Sequence, residues 1–155
     1  MSLGDTLGEL LISRNKTIAI AESITGGMIS NLITDVPGCS RYFLASIISY
    51  SNESKMQLLG VRKETLLECG AVSSETAREM ADGVRMKIGS DVGASVTGIA
   101  GPSGETESKP IGLVFLCVSD VDRRSEERIV FRGDRKEIKR RAAERLLQDA
   151  VDFLN

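Results

Sequence analysis

The stretch Glu22-Ser23-Ile24-Thr25-Gly26-Gly27 puts a hydroxyl nucleophile, a carboxylate and a glycine pair next to one another. It follows an apolar run, Thr17-Ile18-Ala19-Ile20-Ala21, and precedes Met28, Ile29, Leu32, Ile33 and Val36 at helical spacing. A continuous run of β-branched and small residues suits a strand buried on both faces. The change of period after Gly27 predicts a tight turn from that strand into a helix N-terminus. Free N–H groups and the positive end of the helix dipole at such a turn favour an anion or a developing oxyanion. A serine held there is a candidate nucleophile. The same pattern also describes a plain helix cap, in which Ser or Thr accepts an orphan N–H and the glycines permit positive φ. Local pattern leaves both readings open.

Composition narrows the chemistry. The 155 residues contain no histidine, which excludes a Ser-His-Asp or Cys-His hydrolase, a histidine general base and most catalytic zinc sites within this chain. Proton transfer falls to Lys, Tyr, Asp, Glu or Cys, so a serine hydrolase here is of the Ser-Lys kind. Cys39, Cys69 and Cys117 are odd in number, widely spaced and free of any Cys-x-x-Cys pattern. They argue against a disulfide framework or a zinc site and for a reducing, cytoplasmic setting. Lys and Arg total 20 against 22 for Asp and Glu, a net charge of −2, so no global field draws nucleic acid or an anionic membrane. No apolar run approaches the roughly 20 residues needed to span a bilayer, and no signal-peptide pattern opens the chain.

The elements that must hold Ser23 follow from periodicity. With 41% hydrophobic content the chain is expected to form a single domain over residues 1–155. Leu3, Leu7, Leu10 and Leu11 predict an amphipathic helix ahead of the first strand. Pro37 and Gly38 stop the helix after Gly27. Leu44 to Tyr50 reads as a second strand, expected to lie parallel to the first and to bring its end near Ser23. A polar loop from Tyr50 to Lys55 enters a short helix ending at Gly60, and Lys63 to Gly70 is another. Ser73 or Ser74 caps a longer helix with Ala77, Met80, Ala81, Val84 and Ile88 as its buried stripe.

Gly93 to Thr97 is a third strand, running into Gly98-Ile99-Ala100-Gly101-Pro102. Those glycines can cradle a phosphate or merely turn the chain, but no helix pattern follows, so a dinucleotide fingerprint does not fit. A strand follows from Pro110-Ile111-Gly112 through Val118 and another, antiparallel, at Glu127 to Phe131. Asp134 and Glu137 resemble a capping box for the last helix, whose buried face is Ile138, Ala142, Leu146, Ala150 and Phe153. Arg135 and Lys136 oppose the dipole there, as indifferent surface cations or as ligands of a nearby anion. The basic run Arg132 to Arg141 is interleaved with Asp134 and Glu137 and reads as a solvated face, not a nucleic-acid site. The order of elements predicts a three-layer α/β/α sandwich with a mixed sheet of about five strands.

Six blocks in order resemble the C-terminal domain of the CinA family: Ala21-Glu22-Ser23-x-Thr25-Gly26-Gly27, Tyr50-Ser51-Asn52-x-x-Lys55, Gly70-Ala71-Val72-Ser73, Thr97-Gly98-Ile99-Ala100-Gly101-Pro102, Lys109-Pro110-x-Gly112 and Gly133-Asp134-Arg135. The resemblance implies a metal- and cofactor-free Ser-Lys amidohydrolase converting nicotinamide mononucleotide to nicotinate mononucleotide and ammonia. It implies Ser23 as nucleophile, Lys55 as general base and Tyr50 as an assisting hydroxyl. Thr25, Gly26, Gly27, Thr97, Gly98 and Gly101 become substrate contacts, and Arg135 a ligand of the substrate phosphate. Amides at Gly26 and Gly27 would form the oxyanion hole. The role of Glu22 stays open. Ile24, and Ala45-Ser46 where glycines are expected, depart from the family pattern and bear on substrate preference. The alternative is a module that binds a nucleotide or phosphate without turnover. The expected partner is the small-molecule substrate, with no nucleic acid or membrane and with a homodimer as an option.

Overall fold

Strand β1 (Ile18–Glu22) lies between β2 (Phe43–Ile48) and β3 (Val92–Gly98) and runs parallel to both. Beyond β3, the strands β4 (Leu113–Ser119) and β5 (Arg124–Val130) are added antiparallel, giving the order β2-β1-β3-β4-β5. The computed structural model describes residues 1–155, with helices α1 (Leu3–Ser13), α2 (Met28–Thr34), α3 (Asn52–Leu59), α4 (Lys63–Glu68), α5 (Ser74–Ile88) and α6 (Arg135–Leu154). The expected mixed five-stranded sheet between helical layers is thus present. Residues 124–126 join β5 ahead of the expected start at Glu127, because Arg78 pairs with Glu126 and Asp82 with Arg124 across α5.

The layering follows from the direction of the crossovers. From β1 the chain moves outward to β2 through α2, then back across β1 to β3 through α3, α4 and α5. Right-handed crossovers taken in opposite directions place their helices on opposite faces. Alternation along β1 feeds both layers: Ile18 and Ile20 join the core under α1, α2 and α6, whereas Ala19 and Ala21 face α5 with Met80 and Val84. The small side is needed. A Cβ on Gly93 would collide with the Ala81 carbonyl oxygen, so α5 rests directly on the β3 backbone. No helix is long and apolar enough to cross a membrane.

One ion cluster fixes α6 to β5. Arg145 Nε donates to Glu127 at 2.7 Å and to Asp149 at 3.1 Å, and the Asp149 side chain is only 12% exposed. Burial, then the neighbouring Glu127 charge, holds the Asp149 carboxyl well above the usual carboxylate range. A carboxyl raised by folding keeps a proton that the unfolded chain releases, so its contribution to stability falls as pH climbs from about 4 toward neutrality. Asp149→Asn is therefore expected to be more stable than wild type by about 1 kcal/mol at pH 8, with the difference vanishing near pH 4. Urea melts at both pH values check this; an equal loss at both would contradict it.

Candidate active site

The parallel strands end together, and the residues that follow them build the site. Ser23 follows β1, Ser49 and Tyr50 follow β2, and Gly98 closes β3, an arrangement in which α/β sheets carry their ligands at carboxyl ends of strands. The ladder continues one step past each strand, with Ser23 N–H donating to the Val96 carbonyl at 3.2 Å and Ser49 N–H to the Glu22 carbonyl at 2.8 Å. The period of two therefore still governs side-chain direction here. Glu22 points with Ile20 toward α2, and Ser23 points with Ala21 toward α3.

Helix α3 brings Lys55 to Ser23. Ser51 caps it, accepting from Ser54 N–H while the Ser54 hydroxyl accepts from Ser51 N–H, which sets Lys55 one turn in. Lys55 is 1% exposed, and its Nζ donates to Ser23 Oγ at 2.9 Å and to the Ser49 carbonyl at 2.6 Å, with the Tyr50 carbonyl at 3.5 Å. No carboxylate shares the site with it. Burial alone drives its pKa down from 10.5 to about 8. A neutral amine offers two N–H groups and one lone pair. Two carbonyls and one serine hydroxyl match that valence, so the deprotonated amine can take the Ser23 proton directly.

Glu22 proves to be the cap of α2. It is wholly buried; Oε1 accepts from Thr25 Oγ1 at 2.6 Å, Gly27 N–H at 3.1 Å and Ile29 N–H at 3.0 Å. Oε2 accepts from Ser30 N–H at 3.2 Å, Ser30 Oγ at 2.5 Å and Ser46 Oγ at 3.2 Å. Gly26 and Gly27 allow this wrap with φ of +58° and +105°. Ser23 is thus not the cap, which frees its hydroxyl for Lys55. The oxyanion hole expected at Gly26 and Gly27 is also displaced: Gly27 N–H serves Glu22, and Gly26 N–H donates to the Ser23 carbonyl at 3.2 Å. Removing the acceptor would strand several buried donors, each costing about 1–3 kcal/mol. Glu22→Ala is expected to lose at least about 3 kcal/mol in a urea melt, with Glu22→Gln intermediate because its amide cannot accept from Ser30 N–H. An alanine variant as stable as wild type would contradict this reading.

Across the cleft stands a cationic wall. A cleft of about 200 Å³ is lined by Ser23, Ile24, Tyr50, the loop from Gly98 to Gly104, and Arg135. Arg135 Nη1 donates to the Gly101 carbonyl at 2.8 Å and Nη2 to Tyr50 Oη at 2.9 Å, tying α6, the β3–β4 loop and the end of β2 together. Asp134 and Glu137 form the capping box that starts α6, as expected from their spacing. Lys139, one turn beyond Arg135, lies with its Nζ 3.7 Å from where a Cβ on Gly26 would stand. Neither Arg135 nor Lys139 is paired with a carboxylate. A larger cavity of about 270 Å³, lined by Asp82, Arg85 and the Ser119–Arg124 turn, sits at the other end of the sheet; there the Ser119 hydroxyl donates to Asp82 at 2.8 Å, and that carboxylate is already paired with Arg124 and Arg85.

The structure therefore brings together Ser23 and Lys55, and places Gly98, Gly101 and Arg135 on the cleft they share with Tyr50. Tyr50 turns its hydroxyl to Arg135 and gives only its carbonyl to Lys55. Thr25 is buried on Glu22, and Thr97 donates to the Ala71 carbonyl at 2.8 Å, so neither hydroxyl faces the cleft. Sequence reasoning passed over Lys139, although its place four residues after Arg135 puts both on one helix face. It also passed over the Ser49 carbonyl, which no side-chain pattern reveals.

Comparison with known proteins shows the family of the chain. The CinA C-terminal domain matches residues 1–154. A CinA-like protein of Endomicrobium trichonymphae is 49% identical over 153 residues, covering 99% of this chain and 35% of that protein. A CinA-like protein of Chloroherpeton thalassium is 48% identical over 159 residues, covering 100% and 38% respectively. The chain thus spans little more than a third of the length of these relatives. Among solved structures, the competence-damaged protein (CinA) superfamily protein from Enterobacter cloacae superposes with a TM-score of 0.95 at 29% identity, covering 99% of this chain and 90% of that one. The competence or damage-inducible protein from Enterobacter asburiae gives 0.95 at 28% identity, covering 99% and 96%. With the match running over the whole described fold, the chain belongs to the CinA C-terminal domain family.

Proposed function

We propose that this domain hydrolyses the carboxamide of nicotinamide mononucleotide to nicotinate mononucleotide and ammonia. The observation that supports it most is the 2.9 Å contact between Ser23 Oγ and a fully buried lysine that has only neutral partners. Lys55 accepts the Ser23 proton as Oγ bonds to the carboxamide carbon and the carbonyl electron pair moves onto oxygen. When the pair returns, the C–N bond breaks, and the Lys55 ammonium protonates the departing nitrogen to ammonia. Water then attacks the acyl-serine, gives its proton to Lys55, and the Ser23 alkoxide leaves and takes that proton back. The pyridinium ring brings a positive charge to the cleft, which further favours the neutral amine. The substrate phosphate goes to Arg135, whose guanidinium otherwise meets only a carbonyl and a phenol.

The base must be deprotonated, so kcat/KM for nicotinamide mononucleotide is expected to rise with pH and level off above a single ionisation near 8. Ammonia release followed from pH 6 to 10, with chelator throughout, checks reaction and base together. Saturable binding without ammonia over hours would show a binding module instead, and a profile falling with pH would remove Lys55 as base.

A further inference from the structure

The turn that carries Ser23 commits all but two of its backbone donors. Ser23 N–H serves Val96, Gly26 N–H serves Ser23, and Met28 N–H donates to the Thr25 carbonyl at 3.1 Å. Gly27, Ile29 and Ser30 give theirs to Glu22. Between these, the N–H groups of Ile24 and Thr25 have no protein acceptor, in residues only 4% and 1% exposed. Buried N–H groups without partners are rare and costly, and two in succession directly after a nucleophile point to a ligand. Helix α2 cannot serve instead, because the Glu22 carboxyl already occupies its first amides.

We infer that the Ile24 and Thr25 amides bind the oxyanion of the tetrahedral intermediate. The assignment rests on Ser23 being the nucleophile. Attack joins the carboxamide carbon to Ser23 Oγ, so the oxygen receiving the electron pair forms two bonds away from Oγ. An N–H on the residue directly after the nucleophile is the donor that nucleophile elbows generally use for it. Ile24 lines the cleft beside Ser23, consistent with its amide being offered there. The rival donors are the N–H groups of Tyr50, Ala100, Gly101, Ser103 and Gly104, which line the cleft and also lack protein acceptors but do not follow the nucleophile in the chain.

A boronic acid on a pyridine ring separates these possibilities in the intact protein. Boron bonds to Ser23 Oγ, the serine proton passes to Lys55, and the tetrahedral boronate carries its negative charge where the oxyanion would stand. In nitrogen-labelled protein the Ile24 and Thr25 amide protons are expected to move downfield on adduct formation, while Gly26 and Gly27 stay in place. The shifts should be absent in Ser23→Ala. Downfield movement at Gly26 and Gly27, or only at the rival donors, would overturn the assignment while leaving Ser23 as nucleophile. Boron that stays trigonal by boron NMR would remove the nucleophile, and the oxyanion assignment with it. Replacing Ile24 by its α-hydroxy acid turns one N–H into an ester oxygen without changing the side chain. That variant should lose kcat by roughly 100-fold with KM little altered; unchanged kcat would overturn the role of the Ile24 amide.

Discussion

Lys55→Met is expected to lower turnover of nicotinamide mononucleotide by about 10⁴-fold and, at pH 7, to leave the protein more stable than wild type. The two effects have one cause. Folding carries the ammonium from water into a site with no anion, which is why its pKa falls from 10.5 to about 8. At roughly 1.4 kcal/mol per unit of displacement, an ordinary lysine buried there costs the fold about 3 kcal/mol at pH 7. Methionine has a similar length and no charge, and gives back that cost. It forfeits the bonds to Ser23 Oγ and the Ser49 carbonyl, worth about 1 kcal/mol each. The balance is a gain of about 1 kcal/mol.

The pH dependence identifies the cause. Because the folded state releases this proton more readily than the unfolded chain, stability of the wild type rises between pH 8 and 10.5 relative to the variant. The gap should therefore shrink and reverse toward pH 10. Thermal melts of both proteins at pH 7 and 10 measure it. A variant less stable at pH 7 than at pH 10, relative to wild type, would mean that the lysine is held as an ammonium. Such a site exchanges stability for reactivity, a trade common where a base must be kept neutral.

Much of the fold was legible because burial leaves a periodic trace. The apolar run before Ser23, the stripe Ala77-Met80-Ala81-Val84 and the Asp134–Glu137 box each determined an element that the structure contains. The edge of β5 was less visible, since Arg124 and Glu126 are held by ion pairs to α5 and Ser125 by its pairing with β4, with no apolar alternation to mark them. The site was legible only in part. Ser23 and Lys55 are 32 positions apart, and no local rule joins them; family blocks did. Glu22 shows the limit most clearly. A helix start after two glycines suggests free amides, yet the preceding carboxylate folds back and takes them. The alternation that directs Glu22 toward α2 also directs Ser23 toward α3, so a strict period-two reading one residue past the strand contained both roles. Ser46, a departure from the family pattern, finds its place as a further donor to Glu22.

Ser23→Ala tests the account at its centre. The alternative within the same geometry is that buried Lys55 activates water directly, with Ser23 only relaying or filling space. In that case losing the hydroxyl leaves the base and cleft intact, and a water in its place would be attacked for its proton in the same way. Covalent catalysis makes the opposite demand, since no acyl intermediate can form without Oγ. The loss then falls on kcat, on the order of 10⁴-fold or more, with substrate affinity retained through Arg135. The measurement is steady-state release of ammonia and nicotinate mononucleotide by wild type and Ser23→Ala at pH 9, where Lys55 is largely neutral, with binding of nicotinamide mononucleotide followed in parallel. Turnover confined to the wild type, with binding preserved in the variant, is the predicted result. Turnover by Ser23→Ala within tenfold of wild type would contradict Ser23 as the nucleophile.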